Sequence, residues 1–469
     1  MTMAEGSQLP LLPGFIPQSQ RFCCLRPGSA RKLLLALRVA SLAATRAVAF
    51  GSARANVVNL VSFGERMSSA QKNRVSFVGR PVWAEVSLSA LEFNLRSIRA
   101  YVNPPGEKRK APRKILSIVK GNGYGHGGPQ VAKALEKAGS EWFGVTCTAE
   151  GIEVRKAGVR RPVLVLTGFW PGEEKRLLDN DLTAAITRCE KLALLERAAS
   201  RRRAKRASVP FHLKIDSGMN RLGIAPADVD CFARQLAKSP HLRLDGVFTH
   251  FASSEVFEPA PHGEQTREQE ERFYAALDRL RALGMDPGII HLANSAAIAT
   301  RPESWADMVR PGALLYGYHP GYDPAERRAE IEARLPLKPV MSLRTRVIGL
   351  RAVPPGEGVG YNAKFVPKRP SRIAVLAAGY GDGLHRSLGN RGSVLLRGKL
   401  APIVGIISMD VTMVDVTDIP GVAEGDVATL YGTDGLHSHP AHLVARSIGT
   451  VTSDLLCAIS SRVPRLYLP

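Results

Sequence analysis

Short apolar runs alternate with helix-like segments for about 250 residues, and this alternation constrains the fold more than any other feature of the sequence. The runs are typical of buried parallel strands, and they span residues 84–88, 115–119, 142–147, 163–166, 212–215, 244–248 and 288–291. Long helical segments such as 265–283 lie between them, and Ser89 with Glu92 predicts a capping box for a helix ending near Val102. The sequence therefore predicts an α/β fold with a (β/α)8 barrel over residues 80–335.

A change of pattern after Pro339 indicates a second domain. The segments that follow are short and β-rich, with Gly and Pro turns between them, and one short helix is predicted near residues 439–448. We therefore expect the barrel to be followed by a mainly β C-terminal domain over residues 336–469. Its predicted strands span residues 341–350, 372–376, 393–396, 403–407, 411–416 and 427–431.

Residues 1–79 form a basic leader. They hold ten Lys and Arg against two Glu, a net charge of +8 out of +22 for the chain. Their most apolar stretch, 33–50, is interrupted by Arg38 and Arg46, which argues against a membrane span of roughly 20 apolar residues. Three interpretations remain open: a disordered tail, a degenerate export or targeting segment, and a protein that begins at Met67.

The remaining charge and the cysteines exclude several function classes. A basic cluster at residues 201–206 has no interleaved aromatic series and no finger or helix-turn-helix signature, so no nucleic-acid partner is predicted. The six cysteines lack metal-ligand spacing, so we expect no metal. Four of them are scattered in apolar settings, which predicts free, reduced, buried thiols and a cytoplasmic location.

Lys120 ends an apolar strand and precedes a Gly-rich run, residues 121–127. Burying an ammonium group is unfavourable unless its pKa falls or it reacts. Such a lysine can form a Schiff base with an aldehyde cofactor. On this motif alone, a lysine that merely extends to solvent before a turn is an equally good interpretation.

Four further polar clusters follow predicted strand ends, at residues 214–223, 249–251, 291–295 and 309–313. The carboxyl ends of barrel strands are where such barrels place their active sites. Ser295 opens a helix that could hold an anion, and Arg310 offers a guanidinium beside a backbone turn. Five clusters on one rim predict an active site there.

The sequence resembles the alanine racemases over roughly residues 80–469. The matching motifs occur in family order at residues 120–127, 214–223, 250, 291–295, 310–312, 360–361, 378–383, 408–410 and 461–465. The resemblance implies a homodimer that binds pyridoxal 5′-phosphate in the barrel, with the partner's β domain closing each site. It further implies interconversion of L- and D-alanine, which supplies D-alanine for peptidoglycan.

The resemblance also implies two catalytic residues. Lys120 would hold the cofactor as a Schiff base and act as a base on one face of the substrate Cα. Tyr361 of the partner subunit would act on the opposite face. Racemisation needs a base on each side, because one group cannot both remove and return a proton with inversion.

The resemblance places further residues around the cofactor and substrate. Arg310 would face the pyridine nitrogen, and because Arg keeps its own proton the ring would be a weaker electron sink. Arg221 would reach the phenolic oxygen, and His250 would pack near the ring. The remaining implied contacts are Tyr124, Ser295, Gly312 and Ala313 to the phosphate, and Arg221 and Met409 to the substrate. Behind them the resemblance places Lys214, His291, Asn294, Arg386 and Asp410, with His291 orienting Arg310.

Two positions carry specific expectations. Lys214 matches a lysine that is carbamylated in many family members, and a carbamate there would accept hydrogen bonds from Arg221; an unmodified lysine is the alternative. Ser461 replaces a Tyr that is common at its position in the family, which predicts a larger pocket and puts phosphate anchoring there in doubt.

Other functions stay open at this point. A broad-spectrum amino-acid racemase is the nearest alternative, and a basic-amino-acid decarboxylase is more distant. A catalytically silent protein that binds the cofactor is a third, although such proteins lack the β domain.

Overall fold

The computed structural model describes residues 79–201 and 208–469. The basic leader, apart from Gly79, lies outside the described residues, as do Cys23, Cys24 and all but the first residue of the cluster at 201–206. Within the described part of the chain, no helix is both long and apolar enough to cross a membrane.

Strand β1 (Val82–Ser87) and helix α1 (Leu88–Val102) open the described chain. The strand pairs with strands of the C-terminal sheet and contributes nothing to the barrel, so including it in the barrel repeat was wrong. The capping box at Ser89 was also wrong. Ser87 is the N-cap, and its hydroxyl accepts the N–H of Ala90 at 3.1 Å, because the chain enters the helix two residues earlier than predicted.

Eight parallel strands form the predicted (β/α)8 barrel, in the order β8-β7-β6-β5-β4-β3-β2-β9. They are β2 (Lys114–Ile118), β3 (Trp142–Val145), β4 (Val163–Val165), β5 (Thr183–Ile186), β6 (Val209–Lys214), β7 (Leu242–Phe248), β8 (Ile289–His291) and β9 (Met308–Val309). The sequence missed β5, whose Thr and Ala side chains make a weak apolar run, and β9, which has only two residues. Alternate side chains such as Leu116, Leu164 and Phe248 fill the barrel interior.

Helices and turns connect the strands and pack outside them. They are α2 (Lys120–Tyr124), α3 (Gly128–Lys137), α4 (Thr148–Lys156), α5 (Glu174–Asp179), α6 (Glu190–Ser200), α7 (Val229–Leu236), α8 (Gln265–Ala282), α9 (Ser295–Thr300) and α10 (Arg327–Arg334). The predicted helix at 265–283 corresponds to α8.

The C-terminal domain is mainly β, as predicted. Its elements are β10 (Met341–Val353), β11 (Ser371–Leu376), β12 (Ser393–Leu396), β13 (Lys399–Val404), β14 (Thr412–Asp415), β15 (Val427–Asp434), β16 (His437–His439), α11 (Ala441–Ser447), α12 (Thr452–Cys457) and β17 (Arg465–Leu468). Six strands close on themselves in the order β10-β11-β14-β13-β12-β15, because β15 pairs back with β10. The sheet extends from β10 through β1 to β17, so both ends of the described chain meet there.

The four described cysteines are free, as predicted, but the prediction that they are buried was wrong. Cys147 and Cys457 are exposed, and Cys189 and Cys231 are half-buried. Cys189 and Cys231 lie close together in the fold, although they are far apart in the sequence. Burial, together with the Cys231 thiol, raises the pKa of Cys189 to about 12.

Candidate active site at the carboxyl ends of the barrel strands

Lys120 follows β2 and begins a left-handed turn. Gly121, Asn122, Gly123 and Tyr124 all have φ between 51° and 62°. Two of these residues are glycines, which adopt this conformation without the steric penalty of a Cβ. The carboxylate of Glu150 holds the turn by accepting the N–H groups of Gly121 and Thr146, each at 2.7 Å.

The amine of Lys120 lies at the barrel mouth near Arg221 and the Glu150 carboxylate. Loss of surrounding water, together with the positive charge of Arg221, lowers the pKa of Lys120. A lowered pKa increases the neutral fraction of the amine, which is the form that can attack an aldehyde or accept a proton.

Tyr124, Ser295 and Gly312 form a tight cradle next to this turn. The Gly312 N–H donates to Ser295 Oγ at 2.8 Å, and a Cβ on Gly312 would lie 2.5 Å from the Tyr124 hydroxyl oxygen. Asn294 fixes the position of Ser295 by capping α9, since its side-chain oxygen accepts the Ala297 N–H at 3.0 Å. Ala313 follows Gly312 and begins a 3-10 turn. Two hydroxyls and a backbone turn without a side chain fit a phosphate group.

Arg310 is buried behind the rim, and no carboxylate of the described residues pairs with it. Its NH2 group donates to the carbonyls of Thr249 at 2.6 Å and Leu292 at 2.7 Å, and its NH1 group donates to His291 O at 2.8 Å. Among the described residues, no acceptor takes the Nε–H. Burial lowers the pKa of Arg310 to about 9, so the guanidinium keeps its proton at neutral pH. A fixed cation with one unused N–H fits the nitrogen of an aromatic ring, which accepts one hydrogen bond.

Two histidines flank this guanidinium. His291 Nδ1 lies 3.1 Å from Arg310 NH1, and His250 Nδ1 lies 3.4 Å from NH2. Burial and the positive charge of Arg310 hold the pKa values of both imidazoles well below the usual 6.5. Both rings are therefore neutral and present a nitrogen lone pair to the guanidinium.

Lys214 ends β6, and the loop that follows carries Arg221. The Asp216 carboxylate shapes it by accepting the N–H groups of Gly218 at 3.1 Å, Asn220 at 2.9 Å and Arg221 at 2.7 Å. Lys214 is buried, and its Nζ donates to Leu222 O at 2.6 Å. Burial, followed by the charges of Arg221 and Arg310, lowers the pKa of Lys214 to about 8.

Three of the site residues predicted in the β domain are exposed at its surface. Tyr361 is 67% exposed and Met409 is 53% exposed. The Met409 carbonyl accepts the Gly381 N–H at 2.9 Å, and Asp410 pairs with Arg462 at 3.0 Å. Arg386 is exposed on a 3-10 turn.

Both domains match models of one protein family. Residues 86–320 match the model "Alanine racemase, N-terminal domain", and residues 340–467 match "Alanine racemase, C-terminal domain". The chain belongs to the alanine racemase family. This is a family of pyridoxal-phosphate-dependent isomerases.

Individual relatives agree with the family models. Alanine racemases of Halothermothrix orenii and Geobacter sp. strain M21 are 37% and 39% identical over 390 and 391 residues. These alignments cover 83% of this chain and 97% and 99% of the relatives.

Solved structures of the family share the fold. The alanine racemase of Clostridium difficile 630 superimposes with a TM-score of 0.73 at 32% identity, over 84% of this chain and 97% of that one. The enzyme of the D-cycloserine producer Streptomyces lavendulae gives a TM-score of 0.74 at 31% identity, over 84% and 98% of the two chains.

Sequence reasoning singled out the alanine racemase motifs but missed four supporting residues. Glu150 and Asp216 hold the two active-site loops, His212 lies behind His291, and Asp382 binds Arg80 at 3.1 Å and Arg462 at 2.7 Å. Asp216 and Asp382 lie within motifs that the sequence quoted, so their position was a usable signal. Glu150 and His212 carry no local signal, because only the folded barrel brings them to their partners. Among the described residues, no group of three His, Cys, Asp or Glu side chains has the arrangement of a metal site.

Proposed function

We propose that this chain interconverts L- and D-alanine with pyridoxal 5′-phosphate held at the barrel mouth. The observation that carries the proposal is the convergence of a lysine of lowered pKa, a hydroxyl cradle and a buried guanidinium with one unused N–H at one rim. Each of these groups matches one part of the cofactor: its aldehyde, its phosphate and its ring nitrogen. Membership of the alanine racemase family supports alanine as the substrate.

The cofactor, when bound, withdraws electrons from the substrate and makes its Cα–H bond acidic. Lys120 holds the cofactor and, as a neutral amine, takes or returns a proton on one face of Cα. Arg310 stays protonated, and its unused Nε–H would be available to the ring nitrogen. Tyr124, Ser295 and the Gly312–Ala313 turn would hold the phosphate, and His250, which lies 3.4 Å from Arg310, would pack near the ring.

The second base is Tyr361 of the partner subunit. Its exposure on the β domain of a single chain is consistent with a side chain that enters a neighbour's site. Met409 is also exposed on the β domain, and its backbone amide would bind the substrate carboxylate in the partner's site. The active unit is therefore a homodimer with two shared sites.

Lys214 carries a carbamate in this proposal. Only a neutral amine reacts with CO2, and a pKa near 8 gives Lys214 roughly three-hundredfold more neutral amine at pH 7 than a lysine with the usual value of 10.5. The carbamate converts a cation beside Arg221 into an anion that accepts its hydrogen bonds. Arg221 then keeps its orientation toward the cofactor's phenolic oxygen and the substrate.

The physiological role follows from the reaction. D-alanine is a component of peptidoglycan, so we propose that the chain supplies D-alanine for cell-wall synthesis. Its cytoplasmic location stays a prediction from the free thiols.

The decisive experiment follows D-alanine formation from L-alanine by the purified protein with added pyridoxal 5′-phosphate. Lys120→Ala should lose nearly all activity and the visible absorption of the covalently held cofactor. Lys114→Ala is the matched control, because Lys114 is exposed at the opposite end of the same strand. A borohydride-reducible adduct that persists on another lysine in Lys120→Ala would overturn the assignment.

A further inference from the structure

His212 extends the hydrogen bonds of Arg310 one residue deeper into the barrel. It lies on β6 with its side chain fully buried, and its Nδ1 is 2.9 Å from Nε2 of His291. His291 Nδ1 is in turn 3.1 Å from NH1 of Arg310. The three side chains therefore form one continuous series from the rim to the barrel interior.

The chemistry of Arg310 fixes where the protons of this series lie. A guanidinium has only donors, so His291 Nδ1 must accept and carries no proton. A neutral His291 then has its proton on Nε2 and donates it to His212 Nδ1. The proton of neutral His212 must therefore be on Nε2. A second proton on either ring would place two N–H donors opposite each other and break a hydrogen bond of the series.

The surroundings are consistent with two neutral rings. Burial lowers the pKa of His212 to about 4, and burial followed by the charge of Arg310 holds the pKa of His291 well below 6.5. Phe248 stacks on His291 with ring centroids 4.7 Å apart, and Trp142 packs 5.0 Å from His212. Both imidazoles are thus held in place by packing, which leaves the hydrogen bonds to select the tautomer.

Packing alone does not require a histidine at residue 212. Its Nε2 is buried and has no hydrogen-bond partner among the described residues. Burying an unpaired N–H is unfavourable, and a leucine of similar volume would avoid it. The lone pair on Nδ1, which accepts from His291, is the one polar function that His212 performs in the structure.

We propose that His212 is a positioning residue for the reaction, which fixes the tautomer of His291 and so keeps Arg310 oriented. With His212 as acceptor, His291 keeps its proton on Nε2 and its Nδ1 lone pair on NH1 of Arg310. Without it, the Nε2–H of His291 would be buried without an acceptor, and this cost offsets what the same tautomer gains from its Nδ1 lone pair on NH1 of Arg310. The inference rests on the proposed function, since it assigns Arg310 Nε–H to the cofactor's ring nitrogen.

Two substitutions separate this role from simple packing. His212→Leu fills the space but offers no acceptor, whereas His212→Asn places an amide oxygen near the position of Nδ1. We expect His212→Leu to lower kcat and to weaken cofactor binding by about tenfold, the factor that corresponds to 1.36 kcal/mol. His212→Asn should stay close to the unchanged protein in both measurements. Thermal unfolding of all three proteins shows whether either variant is misfolded.

A direct readout of the tautomer needs neither activity nor cofactor. In protein labelled with 15N-histidine, the shifts of the two ring nitrogens distinguish a protonated from an unprotonated nitrogen, and a His291→Gln spectrum assigns the His291 signals. We expect a single Nε2–H tautomer of His291 in the unchanged protein and in His212→Asn, and a mixture in His212→Leu. A single Nε2–H tautomer in folded His212→Leu, with unchanged cofactor affinity, would overturn the proposal. Loss of D-alanine formation in every variant and in the unchanged protein would instead contradict the proposed function, while the tautomer result would stand.

Discussion

Lys214 is the residue whose chemistry depends most on its surroundings. The same ammonium group on the surface would stay charged, but burial beside Arg221 and Arg310 lowers its pKa to about 8. The positive charges of Arg221 and Arg310 disfavour the charged form of Lys214 more than the Asp216 carboxylate favours it, and conversion of the amine into an anion relieves the repulsion. The carbamate proposal therefore follows from electrostatics as well as from the resemblance.

Carbamylation of Lys214 should depend on pH and CO2. The neutral amine fraction rises as pH rises through about 8, so carbamate occupancy should fall as pH drops below that value. Protein incubated with 13C-bicarbonate at pH 8 should show a carbamate carbon signal by NMR that Lys214→Arg lacks and Lys238→Arg retains. We expect Lys214→Arg to lose about tenfold or more in kcat/KM, the cost of one charged hydrogen bond. Absence of the signal at pH 8 would contradict the proposal.

Ser461 sets a second prediction at the scale of one residue. It is exposed and presents a hydroxyl where an aromatic ring is common in the family. A pocket distinguishes one methylene by only about 1–3 kcal/mol, so a modest enlargement should permit measurable activity on L-serine or 2-aminobutyrate, with alanine preferred. Ser461→Tyr should lower activity on these substrates relative to alanine and tighten cofactor binding. An unchanged substrate ratio and cofactor affinity would mean that Ser461 is a neutral replacement.

At the scale of elements, two loops of the site are stabilised by carboxylates that accept hydrogen bonds from backbone N–H groups. Glu150 binds the turn after β2, and Asp216 binds the loop after β6, each through backbone N–H groups. Burial raises the pKa of Asp216, but the backbone N–H groups outweigh it and hold that pKa below its usual 3.8. Because a lowered carboxyl pKa stabilises the fold above the unfolded value, this contribution is present above about pH 3.8 and is lost as pH falls further.

Asp216→Ala should loosen the loop that carries Arg221. Removing the acceptor of three N–H groups should lower the free energy of unfolding by about 1–3 kcal/mol and raise KM for alanine. Asp286→Ala is the control, since Asp286 accepts the Gly288 N–H at 2.9 Å in a turn that precedes β8 at the other end of the barrel. Denaturant unfolding and steady-state kinetics test both. Equal KM effects in the two variants would count against a role for the Asp216 loop in the site.

At the scale of the whole molecule, the β domain supports the barrel site of its own chain. The Gly125 carbonyl accepts a hydrogen bond from Arg465 Nε at 3.0 Å. The Leu456 carbonyl oxygen occupies the space that a Cβ on Gly125 would need. The last segment of the chain therefore packs against the Lys120 turn. Tyr361 and Met409 of the same domain are exposed. In the proposed dimer, the β domain would therefore support the site of its own chain and complete the site of the partner.

A mixture of two inactive variants should recover activity if sites are shared. Chains with Lys120→Ala and chains with Tyr361→Phe each lack one base, but a mixed dimer has one site with both native bases and one site with neither. Random exchange makes about half of the dimers mixed, and each mixed dimer has one intact site out of two. About one quarter of the native activity is therefore expected. The measurement is D-alanine formation after demonstrated subunit exchange. No recovery would contradict a site built from two chains.

The sequence by itself determined the barrel, the β domain and the rim motifs, because these are encoded locally. Apolar periodicity marks buried strands wherever they pack, and Lys120 follows one such strand while Lys214 ends another. Prediction from local sequence patterns failed where a strand is short or where its partner strand is distant along the chain. β9 has two residues, and β1 reads as a barrel strand although it pairs with β10.

Only the tertiary structure decided which distant residues support the site. His212 and His291 are 79 residues apart, and Arg310 is 19 residues beyond His291. No spacing in the sequence therefore indicates that the three side chains are hydrogen-bonded to one another. The same holds for the lowered pKa of Lys214, which arises from desolvation and from charges on other loops. Hydrogen-bond direction and desolvation depend on all the neighbours in space, whereas periodicity depends on neighbours along the chain.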